Sequence, residues 1–78
     1  MLEKNATPFD ISMMFVNAAV EFEAAAAHCR VSSTHFERRD VPSGCAHKVA
    51  AQGHIAKGNE LLRQISMIHS ENASLSQD

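Results

Sequence analysis

A single turn signal punctuates this chain. Asp40-Val41-Pro42-Ser43-Gly44 is its one clear cluster of turn-forming residues, and a long uninterrupted stretch lies on each side. Upstream, Thr7-Pro8-Phe9-Asp10 reads as a helix start. Thr7 can cap, Pro8 suits the first helical position, and Asp10 stands where a carboxylate reaches back to the cap. From Pro8 to about Arg39 nothing forces an end, although Ser32, Ser33 and Thr34 are weak helix formers that could kink it. Downstream, Asp40 or Ser43 can cap a second helix, with Pro42 near its first position. That helix is expected to run to about His69, and the small polar stretch Ser70–Asp78 is expected to fray. Twelve alanines and the absence of Trp and Tyr favour helix further. The expected fold is all-α: an antiparallel two-helix hairpin in one small domain spanning 1–78, with a helix over 8–39, a turn over 40–43 and a helix over 44–69.

A 78-residue chain buries only about 60% of its surface and is marginally stable alone. It needs a staple or a partner. Cys29 and Cys45 do not make a disulfide framework, so a partner is the expected answer.

Helical-wheel geometry points the same way. At 100° per residue, Phe9, Met13, Val16, Val20, Ala24, Ala27 and Val31 form one apolar stripe on helix one. Phe15, Ala18, Phe22, Ala25, Ala26, Cys29 and Phe36 form another, roughly opposite. Two polar stripes separate them, one carrying Asp10, Asn17, Glu21, His28, His35 and Arg39. A helix with two apolar faces is expected to be packed on both. One face would take helix two. The other, with Phe15, Phe22, Ala26, Cys29 and Phe36, is the expected oligomer interface, in a dimeric four-helix bundle or a higher oligomer.

Helix two gathers Ala50, Ala51, Ile55, Gly58, Leu61, Leu62, Ile65 and Ile68 on one face. Its bulky residues lie toward the C-terminal end, which an antiparallel hairpin sets beside Phe9, Met13 and Phe15. The open end should therefore hold the denser core, and the turn end should be Ala- and His-rich. Gly53 and Gly58 each cost about 1 kcal/mol relative to Ala. The expected reason for both is close approach of another backbone.

The histidines and cysteines carry whatever chemistry the chain has. His28 and His35 are seven apart, as are His47 and His54. A turn near position 41 sets His35 level with His47 and His28 level with His54, so four imidazoles could gather along one edge of the turn half. Ordinary hydrogen-bonded histidines are one reading. An anion site is a second: residues 30–48 are the only net-positive segment, and His35, Arg38, Arg39, Ser43, His47 and Lys48 cluster where helix two begins. Free N–H groups at a helix start favour phosphate. A metal is a third, disfavoured because no C-x₂-C or H-x₃-H pair exists and because helical neighbours such as His28 and Cys29 diverge. No metal and no cofactor are expected.

Enzymatic readings find little footing. Cys45 and His47 are two apart on a helix and face apart, and no carboxylate pair, Gly-rich loop or Ser–His–acid set is recognisable. A net charge of −2 gives no general attraction to duplex DNA or membrane. With no basic leader and no long apolar run, a cytoplasmic location is expected, and a bacterial or phage origin would fit. The expected function is that of a small non-enzymatic homo-oligomeric regulatory protein. It would act by occupancy, inhibiting or bridging a protein partner through an apolar helical face. The alternative is sequestration of a small phosphate-containing, nucleotide-like ligand at the His/Arg patch.

Overall fold

The computed structural model describes residues 6–76, with side chains through residue 71. Two helices, α1 (Pro8–Glu37) and α2 (Val41–Ser76), pack antiparallel as a hairpin. The molecule is a rod of 60 × 17 × 16 Å. Its radius of gyration is 17.2 Å, against about 11–12 Å for a compact chain of this length.

α1 starts as its sequence dictates. The Thr7 hydroxyl accepts from the Asp10 N–H at 3.1 Å, and the Asp10 carboxylate accepts from the Thr7 N–H at 3.0 Å. This reciprocal capping box satisfies two N–H groups that the helix cannot pair internally. The Ser32–Thr34 segment stays helical.

The turn is tighter and earlier than expected. Arg38 caps α1, and Arg39 takes the left-handed conformation, φ 64°. The Asp40 N–H then reaches His35 O and the Arg39 N–H reaches Phe36 O, at 2.8 and 2.9 Å. This is the Schellman arrangement, built here on arginine where glycine is usual. Asp40 caps α2 by accepting the Ser43 N–H on Oδ1 at 3.3 Å. α2 therefore begins at Val41, not 44. It also continues through Ser76, seven residues past the expected end at His69. Residues 77 and 78, the rest of the expected fraying segment, lie outside the described residues.

The face of α1 that meets α2 shares only Ala18 and Ala25 with the second apolar stripe and nothing with the first. It is the line Ile11, Met14, Ala18, Glu21, Ala25, His28, Ser32, His35, in which every residue is buried or half-buried. The matching line on α2 is Gly44, His47, Ala51, His54, Gly58, Leu61, Ile65, Ile68. Both advance by alternating steps of three and four, the period that keeps one seam facing a partner helix. In each line one seam position is small through the turn half: Ala18, Ala25 and Ser32 on α1, Gly44, Ala51 and Gly58 on α2. The other carries Glu21, His28 and His35, or His47 and His54. Small residues bring the two backbones close, and the long polar side chains lie over one another in the gap.

The dense core sits at the open end, as expected, but with different members. Met14, Ile65 and Ile68 are buried there, backed by Ala6, Ile11 and Leu61. Phe9, Met13 and Phe15 face outward, with Phe9 71% exposed. The reason is angular: Ile11 and Met14 fall on the three-four seam, and Phe9, Met13 and Phe15 fall beside or behind it.

The glycines behave differently from one another. A Cβ at Gly58 would lie 2.6 Å from Phe22 Cζ, and one at Gly44 would lie 2.5 Å from the Phe36 ring. Two α1 rings thus lean over α2 where it lacks a side chain, so it is a ring, not a backbone, that approaches. Gly53 has nothing within 4 Å of a would-be Cβ. The expected close approach is absent there.

Candidate functional site: an imidazole ladder

The seam register sets four imidazoles in a row through the turn half. His54 stacks on His28 with ring centroids 5.5 Å apart and planes 15° apart. His28 meets His47 at 5.1 Å, tilted 32°. His47 stacks on His35 at 5.5 Å and 15°. The antiparallel arithmetic anticipated the His35–His47 and His28–His54 levels. It did not anticipate the diagonal His28–His47 contact that joins them into one row.

Two hydrogen bonds tie the row, one at its middle rung and one at an end. Nδ1 of His28 and Nδ1 of His47 are 2.9 Å apart, so one must donate and the other accept. At one end, His54 Nδ1 meets Glu21 Oε1 at 2.7 Å. At the other, His35 Nδ1 lies 3.6 Å from Asp40 Oδ2. A carboxylate thus stands at each end. All four imidazoles are half-buried. Close by, the Ser32 hydroxyl donates to Gly44 O at 2.8 Å and ties α1 to the first turn of α2.

Asp40 belongs to both the ladder and the cap. The hydroxyl and backbone N–H of Ser43, and then the nearby His35, hold its carboxyl below the usual aspartate value. Each contact favours the ionised form. The carboxylate therefore already serves the start of α2, where a bound phosphate had been expected.

The expected anion cluster is divided by the fold. His35 and His47 turn into the ladder. Arg38, Arg39 and Lys48 stay exposed, and none of them is ion-paired among the described residues. Ser43 is half-buried and donates to Asp40. Arg39, expected on a polar stripe of a helix, lies in the turn instead.

A ring nitrogen ligates along its own plane, and the stacked pairs His28–His54 and His35–His47 lie face to face; only His28 and His47 bring ring nitrogens together. No group of three or more His, Cys, Asp or Glu among the described residues is arranged to hold an ion. Cys29 and Cys45 are exposed free thiols.

A second feature is the apolar surface of α1. Phe15, Phe22, Cys29 and Phe36 recur every seven residues along one line, with Ala26 beside it. Phe15 is 52% exposed and Phe36 48%. Phe22 and Ala26 are half-buried and Cys29 is exposed. Because Phe22 leans over Gly58, it sits between Ile55 and Leu62, three residues before and four after, both also exposed. The apolar face therefore continues onto α2. The other stripe exposes Phe9, Met13, Val16, Val20, Ala27 and Val31, with Ala24 half-buried. The expectation that one stripe would pack against α2 is met only in part: Ala18 and Ala25 of the second stripe are buried in the seam, and Phe22 and Phe36 lean over Gly58 and Gly44, while the bulky residues of the first stripe stay outside. No described helix is long and apolar enough to cross a membrane. Comparisons with protein families, with curated proteins and with solved structures found no match to this chain.

Proposed function

We propose that this protein is a small homo-oligomeric binding protein that acts by occupancy, without turnover. The observation that carries the reading is the exposure of most bulky apolar residues of α1: Phe9, Met13, Phe15, Val16, Val20, Val31 and Phe36. None of the four phenylalanines is buried in the hairpin's own core.

The first occupant is a second copy of the chain. The Phe15–Phe22–Phe36 line continues onto Ile55 and Leu62, so two helices of one hairpin present a single face. That is the surface a four-helix bundle of two hairpins requires. A two-helix rod whose seam is largely alanine, glycine and histidine also has little apolar burial of its own, and a second copy would supply it. The Phe9–Val31 stripe then remains for a protein partner, which the dimer would block or bridge.

Sedimentation velocity at micromolar concentration tests the assembly. The expected result is a dimer that Phe15→Glu converts to a folded monomer and that Val20→Glu leaves intact. A well-folded wild-type monomer would overturn the reading. The phosphate-ligand alternative has less support, because Asp40 occupies the α2 cap and two of the six expected ligands face the ladder.

A further inference from the structure

We infer that the imidazole ladder is an acid-triggered latch. It holds the turn half of the hairpin closed while the His28–His47 pair shares one proton, and releases that half when both rings are cationic.

The argument starts from the middle rung. With its Nδ1 atoms 2.9 Å apart, the pair makes a hydrogen bond only while one of the two nitrogens is bare. A second proton removes the acceptor and leaves two N–H groups facing each other. The outer rungs respond in the opposite sense. His54 faces the Glu21 carboxylate and His35 faces that of Asp40, so a proton on either outer ring completes an ion pair. Those two carboxylates are the only acidic side chains paired with the row among the described residues. The exposed Lys48, Arg38 and Arg39 lie toward the turn and add positive charge. Charge on an outer ring is therefore met by a carboxylate, whereas charge on both inner rings has no such partner and sits in the row with each ring 5.1–5.5 Å from its neighbours. Like charges at that spacing in a half-buried seam repel.

The fold confines the consequence. Through the turn half the seam line itself holds Ala25, Ala51, Gly44, Ser32 and the imidazoles; the apolar cover there comes from its flank, where the half-exposed Phe36 leans over Gly44, and no bulky aliphatic side chain is buried. The open half is held by Met14, Ile65 and Ile68. Imidazole is the side chain whose charge ordinarily changes in mildly acid solution, so mild acid is the trigger. This inference concerns a single hairpin and does not depend on dimerisation.

Two measurements test it on the full-length chain. Nitrogen-15 NMR of the histidine side chains at pH 8 should show Nδ1 protonated on one of His28 and His47 and bare on the other. Both bare, or both protonated, would overturn the latch. Amide exchange, corrected for intrinsic pH dependence, should show protection across residues 25–54 falling more than about tenfold from pH 7.5 to 5. Protection around Met14 and Ile65 should be retained. His28→Asn keeps an acceptor opposite His47 in either protonation state and should abolish the loss. His69→Asn, outside the ladder, should not. Uniform loss along both halves, or equal loss in His28→Asn, would also overturn it.

Discussion

Gly53 and Gly58 stand five residues apart in α2, and the same substitution should have opposite outcomes at the two. Both lie in the helix interior, where alanine is favoured over glycine by about 1 kcal/mol. At Gly53 the new methyl group meets open space, so the full gain is expected. For a chain of this size that gain raises Tm by about 4–8 °C. At Gly58 the same methyl group would meet three atoms of the Phe22 ring at 2.6–3.0 Å. Relief requires Phe22 to move, and overpacking of this kind costs about 1–3 kcal/mol. The gain is cancelled or reversed, and the two alanine variants should differ by about 1–3 kcal/mol. Thermal unfolding followed by far-ultraviolet circular dichroism, at one protein concentration, measures the difference. Concentration must be fixed because assembly would couple to stability. In a Phe22→Leu background the obstacle is smaller, and Gly58→Ala should recover most of its gain. Equal stabilisation by Gly53→Ala and Gly58→Ala in the wild-type background would refute the seating of Phe22 over Gly58. The placement of Ile55 and Leu62 beside Phe22 would fall with it.

Other residues give independent tests. Arg39→Gly should stabilise by about 1 kcal/mol in a urea titration, because glycine adopts the left-handed conformation without the Cβ penalty; Arg39→Ala should be nearly neutral, since alanine retains that penalty. Thr7→Ala should cost about 1 kcal/mol by losing the capping box. The depressed Asp40 carboxyl contributes stability that is present above its unfolded value near 3.8 and lost as pH falls through its lower folded value; the acid limb below about pH 4 should therefore shrink in Asp40→Asn. Glu60 and Arg63 form an exposed pair one helical turn apart, and Arg63→Gln should leave Tm within experimental scatter, because solvent screens such pairs. Thiol labelling under native conditions should modify Cys45 rapidly and Cys29 slowly if Phe15 and Phe36 are covered by a second copy; equal rates would argue against that interface.

Much of the architecture was legible because breakers and caps act locally. Thr7, Asp10 and Asp40 do what their side chains do at helix starts, and the place of the turn fixed which histidines share a level. The inward face of α1 was not legible from apolarity. The bulky members of its stripes are mostly outside, and its seam is a mixture of Ile, Met, Ala, Glu, Ser and His. A wheel weighted by hydrophobicity discards Glu21, His28 and His35 as polar. The signal that would have found the seam is its spacing: three-four steps from 11 to 35 and from 44 to 68, with small residues recurring every seven. The left-handed Arg39 was also hidden, because the usual marker of that conformation is glycine. Gly53 misled in the other direction, since a glycine in a helix suggests a neighbour that is not there.

The distribution of the core along the rod bears on how the hairpin forms. Contacts beside the turn, such as Ser32 with Gly44, close a loop of only 12 residues. The Met14–Ile65 cluster closes one of about 50. The longer loop costs roughly 1.3 kcal/mol more in chain entropy. The contacts that are cheapest to reach in conformational search are thus the least adhesive, and the most adhesive ones are reached last. Such a rod should zip from the turn and be clamped at its ends. Substitutions at Ile65 or Ile68 should then quicken unfolding and leave the folding rate almost untouched, whereas substitutions at Ser32 or Asp40 should slow folding itself.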